Sequence, residues 1–219
     1  MPCVPDGRRT QILGLRERKK QRTRATLIDA AVQLCNGQGF DNTTVEQIAA
    51  VADVSPRTFS RYFPTKDAIA LALVDEIVDE VAVELARLPA DVNHFESILR
   101  AYVAVAEAAK DAGSTGLTAD RMLCITRIIL SSPTLRQVTV EFRGNAIEVA
   151  LAARMGVDLD DRRLRLVSAV WGAVIMTALH DVAQDGESTP QVTVDDLAER
   201  LEAVFAEFTD LMADVRQVV

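Results

Sequence analysis

Apolar and polar positions follow the period of an α-helix along most of this chain. Val45, Ile48, Ala49 and Ala52 fall at i, i+3, i+4 and i+7, one buried stripe on a short helix. Ala70, Leu73, Ile77, Val81, Leu85 and Leu88 keep helical spacing over a longer helix, about 66 to 88, that Thr65 can cap and Pro89-Ala90-Asp91 ends. A helix to about 112 follows, broken by GSTG at 113–116, and another runs from about 118 to Ser131. Pro133 opens a helix that ends near Gly156, and Asp158 opens one to about 184. DGESTPQ then separates the last, about 193 to 215. Strand alternation, hairpin dipeptides, fixed-period repeats and low-complexity tracts are absent. The pattern predicts an all-α fold.

The stretch TTVEQIAAVADVSPRTFSRYFPTKD, residues 43–67, reads as two short helices joined by a tight turn. Thr43 stands three residues before Glu46 and Thr44 three before Gln47, so either threonine can open the first helix with a capping box. Asp53-Val54 makes the turn, because Asp tolerates the left-handed conformation and Val54 can plug the corner. Ser55-Pro56 starts the second helix as N-cap and N1 proline. Phe59 and Phe63 point one way on that helix, leaving Arg57, Thr58, Arg61 and Tyr62 for something outside the domain. A short helix with such a face is suited to a nucleic-acid groove, and the segment is a helix-turn-helix.

With these residues in view, the segment resembles the DNA-binding domain of the TetR family of transcriptional regulators. The resemblance runs from Thr43 through IAAVADVS and RTFSRYF to TKD, and upstream TLIDAAVQLCNGQGFDNTT resembles the family's first helix and the glycine-containing turn after it. It covers roughly residues 18–85; beyond that the chain matches only in helical character and length. Asp53 stands where the family usually has Gly, and Ser60 where it often has an aromatic, commonly Tyr. The second departure removes a frequent phosphate or base contact. The resemblance implies an N-terminal three-helix DNA-binding domain followed by a larger helical ligand-binding and dimerisation domain. The corresponding division is a flexible basic arm (1–17), the DNA-binding domain (18–66, with the helix-turn-helix at about 43–63), a connecting helix shared with the body (67–88), and an effector-binding and dimerisation domain (89–219).

Charge separates the same two parts. The chain as a whole carries −8, which alone argues against a nucleic-acid partner. Residues 1–66, however, hold 11 Lys/Arg against 6 Asp/Glu, a net of +5, while residues 67–219 hold 13 against 26, a net of −13. Only the first part suits a polyanion. The run RERKKQRTR at 16–24 reads either as a solvated leader or, beside a helix-turn-helix, as an arm reaching phosphate or the minor groove.

Composition excludes several other classes. At 219 residues the chain can bury a sizeable core, and aromatics make up only 5% of it. The polar, basic first 25 residues have no apolar core of a secretory leader. The longest uncharged apolar run, LVSAVWGAVIMTAL at 166–179, is too short to span a bilayer. The expectation is a cytoplasmic protein, associated with the nucleoid when on DNA, with no membrane partner. Cysteines at 3, 35 and 124 are odd in number and unpaired in spacing, which points to a reducing compartment and to neither zinc nor a disulfide framework. His94 and His180 are distant and make no metal site. GxSxG, GxxxxGK and GxGxxG are missing, and the carboxylates at 158, 160, 161, 195 and 196 sit at helix starts, where they favour the macrodipole. No catalytic residue, metal or cofactor is expected.

The resulting reading is a dimeric regulator of double-stranded operator DNA, a repressor released by a small apolar or amphipathic effector. Thr44 would touch phosphate at the entry helix. Ser55, Arg57, Thr58, Ser60 and Arg61 would lie in or along the major groove, with Arg57 reading a guanine through its planar fork. Tyr62 would bond backbone oxygen, Lys66 would sit on phosphate, and Arg22 and Arg24 would serve the arm. The resemblance puts a pocket among the middle helices, for which Tyr102, Arg121, Met122, Arg127, Phe142, Arg143, Trp171, Met176 and His180 are candidates, combining apolar bulk with isolated polar ends. It also implies that the last two helices pair with their copies across a twofold axis, through Val170, Val174, Thr177, Leu201, Val204 and Phe208; the same stripes could instead face their own subunit's core. A body that only dimerises or docks a protein, without an effector, is the alternative.

Overall fold

The computed structural model describes residues 7–113, 116–131, 135–136, 145–186 and 192–218. Among these residues there are nine α-helices and no strand: α1 (Gly7–Gln38), α2 (Val45–Val51), α3 (Pro56–Tyr62), α4 (Lys66–Arg87), α5 (His94–Asp111), α6 (Ala119–Ser131), α7 (Ala146–Met155), α8 (Arg162–Gly186) and α9 (Val194–Val218). The all-α expectation holds. The chain divides into two compact units, Met1–Ile69 and Ala70–Val219, with the boundary in the first turn of α4.

In the first unit, α2 packs against α1 and α3. Leu27, Ile28 and Ala31 of α1, Ile48 and Ala49 of α2, and Phe59 and Phe63 at α3 are buried. Local signals set the helix ends. Thr44 is the N-cap of α2: its hydroxyl accepts from the Gln47 amide at 3.2 Å, and Gln47 Oε1 accepts from the Thr44 amide at 2.9 Å. Thr43 is buried instead and donates to the Gly39 carbonyl. Asp53 adopts φ 53°, the left-handed turn conformation its side chain tolerates. Ser55 caps α3 by accepting from the Thr58 amide at 3.1 Å, with Pro56 at the first helical position.

One difference from expectation lies at the start. The backbone of α1 is already helical at Gly7, inside the stretch read as an arm, and the basic run 16–24 belongs to exposed turns of this 32-residue helix. Its side chains are mostly charged or polar, so no apolar stripe marks this part of the helix in the sequence.

The second unit is built around α5, α8 and α9, with α9 packing on both α8 and α5, α7 on α8, and α6 on α5, α8 and α9. Its main core gathers Val81 and Leu85 of α4, Ile98 and Ala101 of α5, Leu151 of α7, Trp171 and Val174 of α8, and Leu201 and Val204 of α9. The start of α8 is displaced from Asp158 to Arg162, because Asp161 Oδ1 accepts the Arg163 amide at 2.7 Å. Thr193 and Asp196 close a reciprocal cap on α9: the Thr193 hydroxyl accepts the Asp196 amide, and Asp196 accepts the Thr193 amide at 2.7 Å. The Thr193 amide and then the Thr193 hydroxyl, both donating to Asp196 Oδ2, hold the Asp196 carboxyl below its ordinary range.

Arg154 of α7 ties down the end of α4. Its guanidinium donates to the carbonyls of Leu88 (2.7 Å) and Pro89 (2.8 Å) and to the Ser97 hydroxyl (2.9 Å), with longer bonds to the Leu85 and Val92 carbonyls. A cation at a helix C-terminus also complements the macrodipole there.

Candidate functional site

The outer face of the first unit carries the residues expected to meet DNA. Thr44, Ser55, Arg57, Ser60 and Arg61 are exposed, as are Arg22 and Arg24 on α1; Thr58 and Tyr62 are half-buried. Phe59 and Phe63 anchor α3 from beneath, with ring centroids 5.8 Å apart. Arg57 makes no hydrogen bond or ion pair with another described residue, so its fork is available to an outside acceptor. Ser60 spends its hydroxyl proton on the Pro56 carbonyl (3.1 Å), and Ser55 and Thr58 share a hydrogen bond at 3.0 Å. The Arg61 guanidinium lies 5.3 Å from the Tyr62 ring centroid, and that of Arg24 lies 5.4 Å from the Phe63 ring centroid.

Lys66, expected on phosphate, has partners inside its own unit. Its ammonium donates to the Phe40 carbonyl at 2.9 Å and to that of Asp41 at 3.4 Å, and it stands 4.4 Å from the Phe40 ring centroid. The side chain clasps the α1–α2 turn, because its charge finds carbonyl acceptors and an aromatic face inside its own unit.

The second unit contains a cavity of about 580 Å³, within the range of small-molecule sites. Leu71, Val74, Ile77 and Val78 of α4 form one wall, and Ile147 and Leu151 of α7 belong to another. Of the expected pocket residues, Tyr102, Met122 and Trp171 line this cavity, while Arg121, Arg127 and Met176 do not. Arg121 is held by a bidentate ion pair with Glu76 of α4, with Nη2–Oε1 at 2.8 Å, and Arg127 is exposed. Met176 is half-buried and absent from the lining. His180 is exposed and also absent from the lining. Phe142 and Arg143 lie outside the described residues.

Polar groups in the cavity are few. Tyr102 and Trp171 pack with ring centroids 5.7 Å apart, and Phe205 stands 6.1 Å from Trp171. Burial pushes the Tyr102 hydroxyl up to about 12, an effect the Trp171 side chain only partly opposes. Trp171 is buried, and its Nε1 has no hydrogen-bond partner of acceptable geometry. Asp75, Asn145, Glu148, Arg165 and Ser168 also reach the lining, none of which periodicity distinguishes from surface positions. Among the described residues no cluster of His, Cys, Asp and Glu could hold a metal, and no helix is long and apolar enough to cross a membrane. Cys35 and Cys124 are buried and not in disulfides.

The residues expected at a dimer interface divide by burial. Val174, Leu201 and Val204 are buried in the core of the second unit, the arrangement in which a stripe faces its own subunit. These three are spent on internal packing. Val170 and Phe208 are half-buried and Thr177 is exposed, while Leu166, Leu211 and Met212 are the large apolar side chains most exposed on α8 and α9.

Comparison with known proteins agrees with this geometry. The family described as bacterial regulatory proteins, tetR family, matches residues 27–73, which span the helix-turn-helix. The HTH-type transcriptional regulator TcmR of Streptomyces glaucescens is 37% identical over 166 residues, covering 74% of this chain and 73% of that protein. Among solved structures, Thermus thermophilus FadR, a TetR-family transcriptional repressor in complex with lauroyl-CoA, is similar with a TM-score of 0.53 at 25% identity, covering 84% of this chain and 91% of its own. SmeT, the repressor of the Stenotrophomonas maltophilia multidrug efflux pump SmeDEF, shares the fold with a TM-score of 0.51 at 19% identity, covering 84% and 89%. Family match, relative and helix-turn-helix geometry agree: this chain belongs to the TetR family of bacterial transcriptional regulators.

Proposed function

We propose that this regulator is a repressor that binds a pseudo-palindromic operator as a homodimer and leaves it when a small apolar or amphipathic effector fills the cavity of the second unit. The observation that carries the reading is the cavity itself: about 580 Å³, mostly apolar, with a few polar groups. A body that only docks or dimerises has no need of such a space, which is why the effector reading is preferred. The repressor FadR, crystallised with lauroyl-CoA, supports a ligand-responsive repressor by analogy. The family supports repression, and dimerisation is supported by specificity, since one helix-turn-helix reads too few base pairs alone.

On DNA, Arg57, Thr58 and Arg61 enter or border the major groove, with Thr44, Ser55, Ser60 and Tyr62 beside them and Arg22 and Arg24 along α1. Val170 and Thr177, with Leu166 and Leu211, are the partner-facing candidates, and Phe208 is a half-buried one that also packs against Phe95 and Phe205. Helix α4 carries Lys66 in its first turn and cavity-lining residues from Leu71 to Val78, which supports coupling between effector and operator. Coupling of this kind is typically about 1–3 kcal/mol, and reciprocity requires the operator to weaken effector binding by the same factor. The test is selection of genomic fragments on the purified protein, followed by footprinting. A twofold-symmetric footprint with half-sites about one helical turn apart, weakening steeply with salt, is expected. A single asymmetric half-site, or binding indifferent to salt, would overturn the reading.

A further inference from the structure

Arg165, Ser168, Gly172, Ile175 and Leu179 of α8 all line the cavity of the second unit. Their spacings of three and four residues put them on one face of the helix, a stripe that rises about 21 Å from Arg165 to Leu179. The stripe changes character along its length. It opens with a guanidinium and a hydroxyl one turn apart, passes the bare backbone of Gly172, and ends on aliphatic side chains. At that far end Leu179 packs with Ala106, Met122 and Leu197, which line the cavity too, so this end of the wall is apolar. The polar end is uncommitted. Among the described residues, neither the Arg165 guanidinium nor the Ser168 hydroxyl has a hydrogen-bond or ion-pair partner. Asp161, the carboxylate whose charge Arg165 feels, gives both oxygens to Arg163. The other charged lining groups, Asp75 and Glu148, each already interact within the protein. Arg165 is exposed as well as lining, which places it where the cavity meets solvent, and Ser168 is half-buried.

We infer that the effector is a carboxylate amphiphile whose head takes the Arg165 fork and the Ser168 hydroxyl and whose apolar body runs along α8 towards Leu179. The inference rests on the effector reading above. A guanidinium fork matches the two oxygens of a carboxylate, and a hydroxyl one turn on can donate a further bond to the same group. A cationic head would meet Arg165 as a like charge. A neutral head would forgo the charge-assisted bonds, which are the stronger ones. The apolar body gains in proportion to the area it removes from water against the aliphatic part of the stripe.

The probes are decanoate, decanamide (the same tail with a neutral head) and decyltrimethylammonium. Each is titrated against N-phenyl-1-naphthylamine, a neutral dye that fluoresces in apolar cavities, bound to the full-length protein. Decanoate should displace the dye at a concentration about five- to tenfold lower than decanamide, the advantage of charge-assisted bonds at a partly solvated site. Decyltrimethylammonium should be the weakest of the three. Arg165→Gln, with its fold checked by a melting curve, should bring decanoate to the level of decanamide. Arg165→Lys keeps the charge without the fork and should fall between wild type and Arg165→Gln. Equal displacement by decanoate and decanamide, or a preference for decyltrimethylammonium, would overturn the inference and leave the effector reading standing. A preference for decanoate that survives Arg165→Gln would overturn it as well, because the head would then bind elsewhere. Failure of the dye and of all three amphiphiles to bind would remove the inference and the effector reading together.

Discussion

The ammonium of Lys66 donates to the carbonyl oxygen of Phe40 at 2.9 Å while facing the ring of the same residue at 4.4 Å. Residues 26 apart in sequence are thereby clasped at the point where α4 begins and the α1–α2 turn starts. A charge held this way contributes to the shape of the first unit before any phosphate arrives. Lys66→Ala should therefore lower the stability of the first unit by about 1–3 kcal/mol, the range for hydrogen bonds to charged groups. It should weaken operator and random DNA alike through that loss. Hydrogen exchange at residues 40–66 and a salt titration of DNA binding test this. Unchanged exchange, together with a salt slope flattened by about one unit per site, would return Lys66 to a plain phosphate contact.

Arg57 is the opposite case, a guanidinium exposed on α3 with no hydrogen bond or ion pair to another described residue. Arg57→Ala should leave folding within about 0.5 kcal/mol, as is usual for surface substitutions. It should cost about 1–3 kcal/mol per half-site at a single base pair and relax preference there, as for a bidentate reader of guanine. Selection of bound sequences by wild type and variant measures both. Equal losses on operator and random DNA would mean that Arg57 reads no base.

Elements governed by local chemistry were legible in the sequence, and those governed by distant partners were not. The ends of α2 and α3 follow from Thr44, Gln47, Ser55 and Pro56, all within a few residues of the groups they cap. The left-handed Asp53 was readable because turn geometry constrains so few residue types. Helix α4 begins where Thr65 accepts the Ala68 amide, again a local bond. The partners of Lys66, Arg121 and Arg154 lie 26, 45 and up to 69 residues away, so local spacing does not reveal them. The cavity was half legible. Tyr102, Met122 and Trp171 stand out by size, but helical spacing gives a core position and a cavity wall the same signature, which hid the contribution of α4.

Tyr102 supplies a pH dependence of definite sign. Its hydroxyl is raised to about 12 from 10.0, so between those values the unfolded chain has released a proton that the folded protein retains. Stability contributed by the neutral phenol is complete below pH 10 and is lost as pH rises towards 12. The slope approaches about 1.4 kcal/mol per pH unit within that window. Denaturant midpoints followed through Trp171 emission should fall more steeply from pH 10 to 11 in wild type than in Tyr102→Phe. Parallel curves would mean that Tyr102 ionises in the folded protein as it does in the unfolded chain.

Arg154 sets how firmly the far end of α4 is held. Its guanidinium collects the last carbonyls of that helix, the turn after it and the Ser97 hydroxyl at the start of α5. Arg154→Met deletes every one of these donors and leaves part-buried carbonyls with fewer partners, so the second unit should lose roughly 3 kcal/mol. Arg154→Lys keeps the charge, and with it the favourable interaction with the helix terminus, but an ammonium cannot reproduce the planar fork. Its loss should be about half as large. Denaturant unfolding read through Trp171, which lies in the second unit, separates the three proteins. Equal stability of Arg154→Lys and wild type would show that charge alone holds the end of α4. Equal stability of Arg154→Met and wild type would mean that water serves those carbonyls as well as the guanidinium does.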